Sequence, residues 1–392
     1  MKKTLLAAAL IAGFAGVAQA ETSVTLYGIL DGGIGYQKIS GNTSRNAADP
    51  GTNLDGKRVG MINGIQSGNR WGVKGSEDLG NGLRAVFQLE SGFDLGTGRH
   101  AQNDRLFGRQ ATLGLAGDSW GQLDFGRQTN IGSKYFGAID PFGLGFDQAN
   151  MGAAFTAVNT NRYDNMVMYQ TPNFSGFQFG VGYSFNADGS QTWDRDITVP
   201  GGITYNTKDA NKKAITTGLR YANGPVAVAL AYDQVKSGLT AAQAAAGADN
   251  VTIKSWNLGG SYDFEVVKLH LAAGQTRDGM FAAPTYGDFN AGNAFVGRDG
   301  LKINSYLVGL SAPIGNGTLM GSWTMADPTS SPDLPAGAPE QQWDKQNTFS
   351  LGYTYGLSKR TNVYAIGSYV KHVNFLPDAK STLVGVGLRH QF

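Results

Sequence analysis

Alternation is the dominant signal along the chain. Phe177, Phe179, Val181, Tyr183 and Phe185 take every second position, with Gln178, Gly180, Gly182 and Ser184 between them. Phe349, Leu351, Tyr353 and Tyr355 alternate in the same way with Thr348, Ser350, Gly352 and Thr354, and Leu319, Gly321 and Trp323 with Thr318, Met320, Ser322 and Thr324. A strand turns successive side chains to opposite faces, so each segment predicts a β-strand with one oily face and one polar or small face. After residue 20 no apolar run approaches the roughly 20 residues that a membrane-spanning helix needs; the longest, such as 226–232, are far shorter.

Two architectures produce that pattern. In a soluble β-sandwich the oily faces point into a dry core. In a transmembrane barrel they meet lipid, and the other face lines a lumen. The connections separate the two readings, because outer-membrane barrels have short turns at one end and long loops at the other. Short turns fall at 78–82, 118–121, 172–176, 223–224, 263–265, 315–317 and 357–360. Long connections fall around 38–57, 95–104, 128–165, 186–212, 234–251, 278–300, 325–345 and 371–379. Seven short and eight long connections predict sixteen strands, an even number that brings both termini to one side. At the C-terminus Val384, Val386, Leu388, His390 and Phe392 share one face. No free edge survives in lipid, so this strand must seal against the first, where Val24, Leu26, Gly28 and Leu30 face outward, and Phe392 is the barrel-closure residue. The fold class is therefore all-β, a sixteen-stranded antiparallel transmembrane barrel.

Composition narrows the function. Lys2 and Lys3 precede an apolar run ending in Ala18-Gln19-Ala20, which predicts a signal peptide over residues 1–20 and a barrel domain over 21–392. Setting aside those two lysines, 32 basic residues become 30 against 30 acidic ones, a balance that excludes a basic nucleic-acid binder. The chain has no Cys, so neither disulfides nor thiolate metal sites hold the fold. The histidines are His100, His270, His372 and His390, and none accompanies a serine elbow or a metal-binding pair. This argues against an outer-membrane barrel enzyme such as a lipase, and no catalytic residue, metal or cofactor is expected. Lys268 and His270 share the face opposite Val267 and Leu269 and are read as lumen-lining.

Residues 128–165 stand apart. They have neither strand nor sustained helical periodicity, they are rich in Gly and Asn, and they contain Ile139-Asp140-Pro141-Phe142-Gly143-Leu144-Gly145-Phe146-Asp147. A connection this long inside a compact domain is usually functional or disordered, and its aromatics suggest that it folds against the inner wall.

Several segments taken together resemble the beta-proteobacterial type of Gram-negative general porin. They are Ser23-Val24-Thr25-Leu26-Tyr27-Gly28-Ile29-Leu30-Asp31, Arg70-Trp71-Gly72-Val73-Lys74-Gly75-Ser76-Glu77-Asp78-Leu79-Gly80, Phe107-Gly108-Arg109-Gln110, Asp124-Phe125-Gly126-Arg127-Gln128 and the terminal Gly387-Leu388-Arg389-His390-Gln391-Phe392. The resemblance implies a homotrimer in the outer membrane with 128–165 folded back into the lumen as its constriction loop. It implies as partners outer-membrane lipid, small ions and hydrophilic solutes, and the barrel-assembly machinery acting through the C-terminal strand.

Parity supplies the candidate pore residues. Arg70, Gly72, Lys74 and Ser76 lie opposite Trp71 and Val73, so Arg70 and Lys74 face the lumen; Arg84, with Gln88 and Glu90, has the same inward parity. Ordinary polar-inward alternation accounts for Lys74 and Arg84 equally well without a special role. Arg109 shares its face with Ala111 and Leu113, so alternation alone would turn it outward. The resemblance places Arg109, Arg70 and Arg162 on the pore wall, opposed by Asp140 and Asp147 from the loop. Arg127 has the outward parity of Leu123 and Phe125, where an unpaired charge would face lipid, and is assigned to a subunit contact. The expected function is a water-filled channel for passive diffusion of ions and small hydrophilic solutes, with a preference for anions. The alternative is a channel specific for a sugar or organic anion, using Tyr27, Tyr135, Phe136 and Phe142 as an aromatic track; the competing role for these rings is to pack the loop on the wall.

Overall fold

The computed structural model describes residues 23–392 apart from 194–195, 199, 203, 207–209, 240–248, 283–284, 287–288, 291–294 and 336. The expected signal peptide, 1–20, lies outside the described residues.

The strands are β1 (Ser23–Asn42), β2 (Asn53–Asn63, resumed over Arg70–Gly80), β3 (Leu83–Gly92), β4 (Gln110–Gly117), β5 (Gly121–Thr129), β6 (Arg162–Gln170), β7 (Phe177–Ser184) and β8 (Lys213–Asn223). They continue with β9 (Val226–Lys236), β10 (Thr252–Asp263), β11 (Lys268–Met280), β12 (Val296–Ile314), β13 (Gly317–Ser330), β14 (Gln346–Gly356), β15 (Thr361–Lys371) and β16 (Lys380–Gln391). Each pairs antiparallel with its neighbour, and with the two lengths of β2 taken as one strand the sheet is a sixteen-stranded closed barrel. Closure runs from Ile29 opposite Gln391 to Ser40 opposite Lys380. Beyond this register Gly28 and Phe392 exchange backbone hydrogen bonds of 3.2 and 3.1 Å. A side chain at position 28 would collide with the Phe392 ring, so glycine there lets the terminal aromatic lie flat on the seam.

The oily face points outward all round. Phe177, Phe179, Val181, Tyr183, Leu230, Leu258, Phe349, Leu351, Val384, Val386 and Leu388 are exposed on the outside of the sheet, where hydrocarbon replaces water around them. This excludes the sandwich reading, in which they would be buried.

The inner face is not uniformly polar. The connection between β5 and β6 carries helix α1 (Ile131–Phe136) and three short 3-10 turns, and it lies inside the barrel. Its ends differ slightly from the expected 128–165: β5 extends to Thr129 and β6 starts at Arg162, because a register shift between Gly126 and Gln128 hides the alternation there. Ile131, Tyr135, Phe136 and Ile139 are buried against Met166, Met168, Ala214, Ala229, Ala231 and Leu307 of the wall. Hence the 226–232 run is apolar on both faces: Val228 and Leu230 meet lipid while Ala229 and Ala231 meet the loop. The wall is also cut back to glycine under the loop. A Cβ at Gly180 would come within 2.5 Å of Ile131, at Gly259 within 2.9 Å of Ile139 and Phe136, at Gly309 within 2.7 Å of Pro141, and at Gly352 within 3.1 Å of Phe142.

Candidate pore constriction

The loop is fastened to the wall by polar side chains of both, some reaching from the wall to the loop backbone and some from the loop to the wall. Asn130, at the start of α1, accepts from the Ser133 N–H, and its Nδ2 donates to Asp233 of β9 at 2.8 Å. His270 of β11 is buried, with Nδ1 2.8 Å from the Ile139 carbonyl and Nε2 2.9 Å from Ser311 Oγ. Ser305 Oγ donates to the Ala154 carbonyl (2.7 Å) and Gln346 Nε2 to the Ala153 carbonyl (2.6 Å). Gln148 donates to the Ser368 carbonyl and accepts from Ser381 Oγ. Buried backbone groups need such partners, so the loop is held at points spread around the barrel.

One region of the lumen escapes this filling. A cavity of about 500 Å³ opens between the loop and the strands near the seam, lined by Arg70, Arg109, Arg162, Arg389, Asp147 and Gln66 among others. Arg70 opens the second length of β2, and its Nε donates to the Gly68 carbonyl at 2.9 Å. Arg162 opens β6 and donates to the carbonyls of Arg109 (3.1 Å) and Thr160 (3.2 Å). Arg389 of β16 donates to Ser67 Oγ at 3.0 Å. Arg109 meets a carboxylate, with its Nε 2.6 Å from Glu90 Oε1. It sits one residue before β4, where strand alternation has ended, so its parity with Leu113 does not turn it outward. Tyr27 donates to the other oxygen of Glu90 at 2.9 Å and accepts from Gln88 at 2.6 Å.

From the loop, half-buried Asp147 faces this cavity. Gln37 links it to the wall, donating to Asp147 Oδ2 at 3.5 Å and accepting from Arg58 Nε at 2.7 Å. Burial pushes the Asp147 carboxyl up to about 6, with the Arg58 charge pulling the other way. Among the described residues, four guanidiniums around the cavity therefore meet two carboxylates, Asp147 and Glu90. Guanidinium stays charged at any physiological pH, so the surface is permanently positive.

Two sequence assignments need correction, Asp140 and Arg84, and Arg127 has an intrachain partner that parity did not suggest. Asp140 does not oppose the arginines: it is 4% exposed, and its carboxylate accepts from the N–H groups of Phe142 (3.2 Å), Leu144 (2.8 Å) and Met151 (3.3 Å). It folds the loop on itself, and burial lifts its carboxyl to about 6. Arg84 has inward parity but lies at the second residue of β3, beside a short turn, where it pairs with Asp118 at 3.0 Å. Parity fixes a face and says nothing of height, so Arg84 is not at the constriction. Arg127 has an answer within its own chain: Nη1 meets Asp164 at 2.6 Å and Nε the Gly108 carbonyl at 2.8 Å, and Arg105 meets both oxygens of the same carboxylate. The two guanidiniums share this one carboxylate, which offsets one of their two charges. Lys74 does face the lumen, 5.6 Å from the Tyr27 ring, in a pocket with Gln88, Gln122 and Asp124 apart from the arginines. Tyr135, Phe136 and Phe142 are part of the loop and are buried between it and the wall, so they form no track.

Two features went unread. Arg389 was open to the same alternation that turns Val384, Val386 and Leu388 outward, which leaves position 389 facing in. Residues 64–69 enter the lumen between the two lengths of β2 and carry no periodicity that alternation could read.

A closed sixteen-stranded barrel with an oily exterior and an inward loop is now joined by a sequence match. The Gram-negative porin family model matches residues 7–374. The chain belongs to the Gram-negative porin family. It is 58% identical to an outer membrane porin protein of Bordetella pertussis, with all of both chains covered. It is 30% identical to outer membrane porin protein 32 of Delftia acidovorans, again over the whole of both. Among solved structures it is similar to an anion-selective porin from Comamonas acidovorans, with a TM-score of 0.66 and 26% identity over 95% of this chain and 100% of that one. This porin is thus an outer-membrane channel for passive diffusion of small hydrophilic solutes and not an enzyme.

Proposed function

We propose that this porin passes small anions in preference to small cations, with Arg70, Arg109, Arg162 and Arg389 as the selecting charges and Asp147 as the opposing charge. The observation that carries the reading is the excess of guanidinium over carboxylate around a cavity of about 500 Å³, in which Arg70 and Arg162 are bonded to carbonyl oxygens and Arg389 to a hydroxyl, so that these bonds neutralise none of the three. A low-dielectric wall focuses such a field on the opening. The solved porin of Comamonas acidovorans, named as anion-selective, supports the same reading. The burial of Tyr135, Phe136 and Phe142 favours general diffusion over a sugar- or organic-anion-specific channel.

The assembly that accompanies this function is a homotrimer, exported with residues 1–20 as a signal peptide and inserted by the barrel-assembly machinery acting on the strand that ends in Phe392. Reversal potentials in a potassium chloride gradient across a planar bilayer test the selectivity. The expected result is an anion preference that weakens in molar salt, where the Debye length shrinks to roughly 3 Å. Cation preference overturns it.

A further inference from the structure

The interruption in β2 follows from a mismatch in length. Ile29 of β1 lies opposite Arg70 and Gly32 opposite Asn63, so six residues, 64–69, face two, Leu30 and Asp31. The surplus leaves the wall and enters the lumen. Ile65 is buried with Ile62, Phe142 and Phe146, and the Phe146 N–H donates to the Gln66 carbonyl at 3.3 Å, so the segment abuts the tip of the 130–161 loop. On its other side Asn362 Nδ2 donates to Gln66 Oε1 at 2.7 Å, and Arg389 to Ser67 Oγ. A Cβ at Gly68 would lie 3.3 Å from Arg109 Nη1, so the segment also touches a second selecting arginine.

Asp31 holds this arrangement. It is wholly buried, and its carboxylate accepts from the Ser67 N–H (2.5 Å) and the Tyr364 hydroxyl (2.6 Å). Its own N–H donates to Asn69 Oδ1 (2.6 Å), and its carbonyl accepts from the Gly64 N–H (2.9 Å). Both ends and the middle of the segment are thereby tied to one residue of the neighbouring strand.

We propose that residues 64–69 are a second constriction element, which sets the bore and the anion preference from the strand side, with Asp31 as its positioning residue. The proposal rests on the reading of the arginine-lined cavity as the conduction path. Solute passes through a cavity rimmed jointly by Gln66 and Ser67, by Asp147 of the loop that abuts them, and by the arginines. Ser67 aims Arg389 into that gap. The 130–161 loop alone does not define the opening.

The absence of cysteine gives a clean test. The full-length Ser67→Cys and Gln66→Cys channels, each with a single thiol, are exposed in a planar bilayer to an anionic sulfonatoethyl and a cationic trimethylammonioethyl methanethiosulfonate. The anionic reagent should react faster, drawn in by the arginines. Either adduct should lower single-channel conductance. The cationic adduct should raise and the anionic adduct lower the anion-to-cation permeability ratio by about two-fold or more, as one unit charge a few ångströms from the ion would. Beyond the shift in reversal potential that loss of a charge coupled to Arg389 gives, Asp31→Asn should slow modification of Ser67→Cys by the anionic reagent and raise single-channel noise as the segment loosens. Asp31→Glu should restore part of the reaction rate. Thiols at 66 and 67 that react with neither reagent, or whose modification leaves conductance and reversal potential unchanged, overturn the proposal. Cation preference in the unmodified channel would instead overturn the functional reading, whatever the thiols do.

Discussion

The inner surface of this porin has two walls that share a strand pattern and differ in purpose. From β6 round to β14, many inward positions are Gly, Ala, Met or Leu, and the 130–161 loop fills the space above them as a dry core. Around the seam, β1 to β3 and β16 carry Tyr27, Lys74, Glu90 and Arg389 on the same inward parity, with Asp31 buried behind them, and a cavity opens there. Both walls show lipid the same oily exterior. The difference shows that the inward residues decide, strand by strand, whether the lumen holds polypeptide or solute. The packed wall sets where the loop stands, and the charged wall sets what passes it.

The largest effect should come from the packed wall. Gly259→Leu places a branched side chain where a Cβ alone would be 2.9 Å from Ile139 and Phe136. Overpacking of this kind costs roughly 1–3 kcal/mol, and displacement of the loop relieves it. Bilayer recordings should then show larger single-channel conductance and weaker ion preference. Unchanged conductance would mean that the two walls are not distinct in the way described.

Asp140 and Asp147 sharpen the contrast within the loop. Asp140→Ala removes the acceptor for three N–H groups and should cost the loop about 1–3 kcal/mol. The expected readout is open-channel noise at an unaltered reversal potential.

On the charged wall, Arg389→Gln should lower the anion-to-cation permeability ratio and leave thermal unfolding of the barrel in place. A unit charge about 8 Å from the ion contributes roughly 0.5–2 kcal/mol for effective dielectric constants between 80 and 20, which is about two- to thirty-fold for each ion and of opposite sign for anion and cation, so the ratio should fall by at least about five-fold.

The smallest effect is a dependence on pH. Burial holds Asp147 at about 6, so its carboxylate is charged above that value and neutral below it. Acidification from pH 7.5 to 5 removes a negative charge from the cavity, and anion preference should rise. The same titration of Asp147→Asn should be flat. Asp140 is raised to the same value but holds its carboxylate on N–H groups of its own loop, so its protonation should show as channel noise rather than as a change of preference.

Much of this was legible in the residues. The run from Phe177 to Phe185 and the run from Val384 to Leu388 announced their outward faces, and Arg70 and Lys74 were placed inward by parity alone. Arg389 could have been placed by the same rule. Asp140 and Asp147 were indistinguishable as two acids of one loop; their roles part because one turns to N–H groups of its own loop and the other to the opening. The partner of Arg127, Asp164, could not be read because it sits at a bulge that period-two reading cannot follow. Residues 64–69 could not be placed, because a break containing Gly64, Gly68 and Asn69 looks the same whether it bends outward into a turn or inward into a pore.

By itself the chain determined which side chain of each strand meets hydrocarbon. Lipid tolerates one kind of residue at each outward position, and a period of two writes that choice into neighbouring letters. Only the tertiary structure decided how far along the lumen each inward charge stands, which glycines seat the loop, and which carboxylate each arginine finds. Those outcomes depend on register, bulges and loop path, and they join residues as distant as Ser67 and Arg389 that have no local pattern in common.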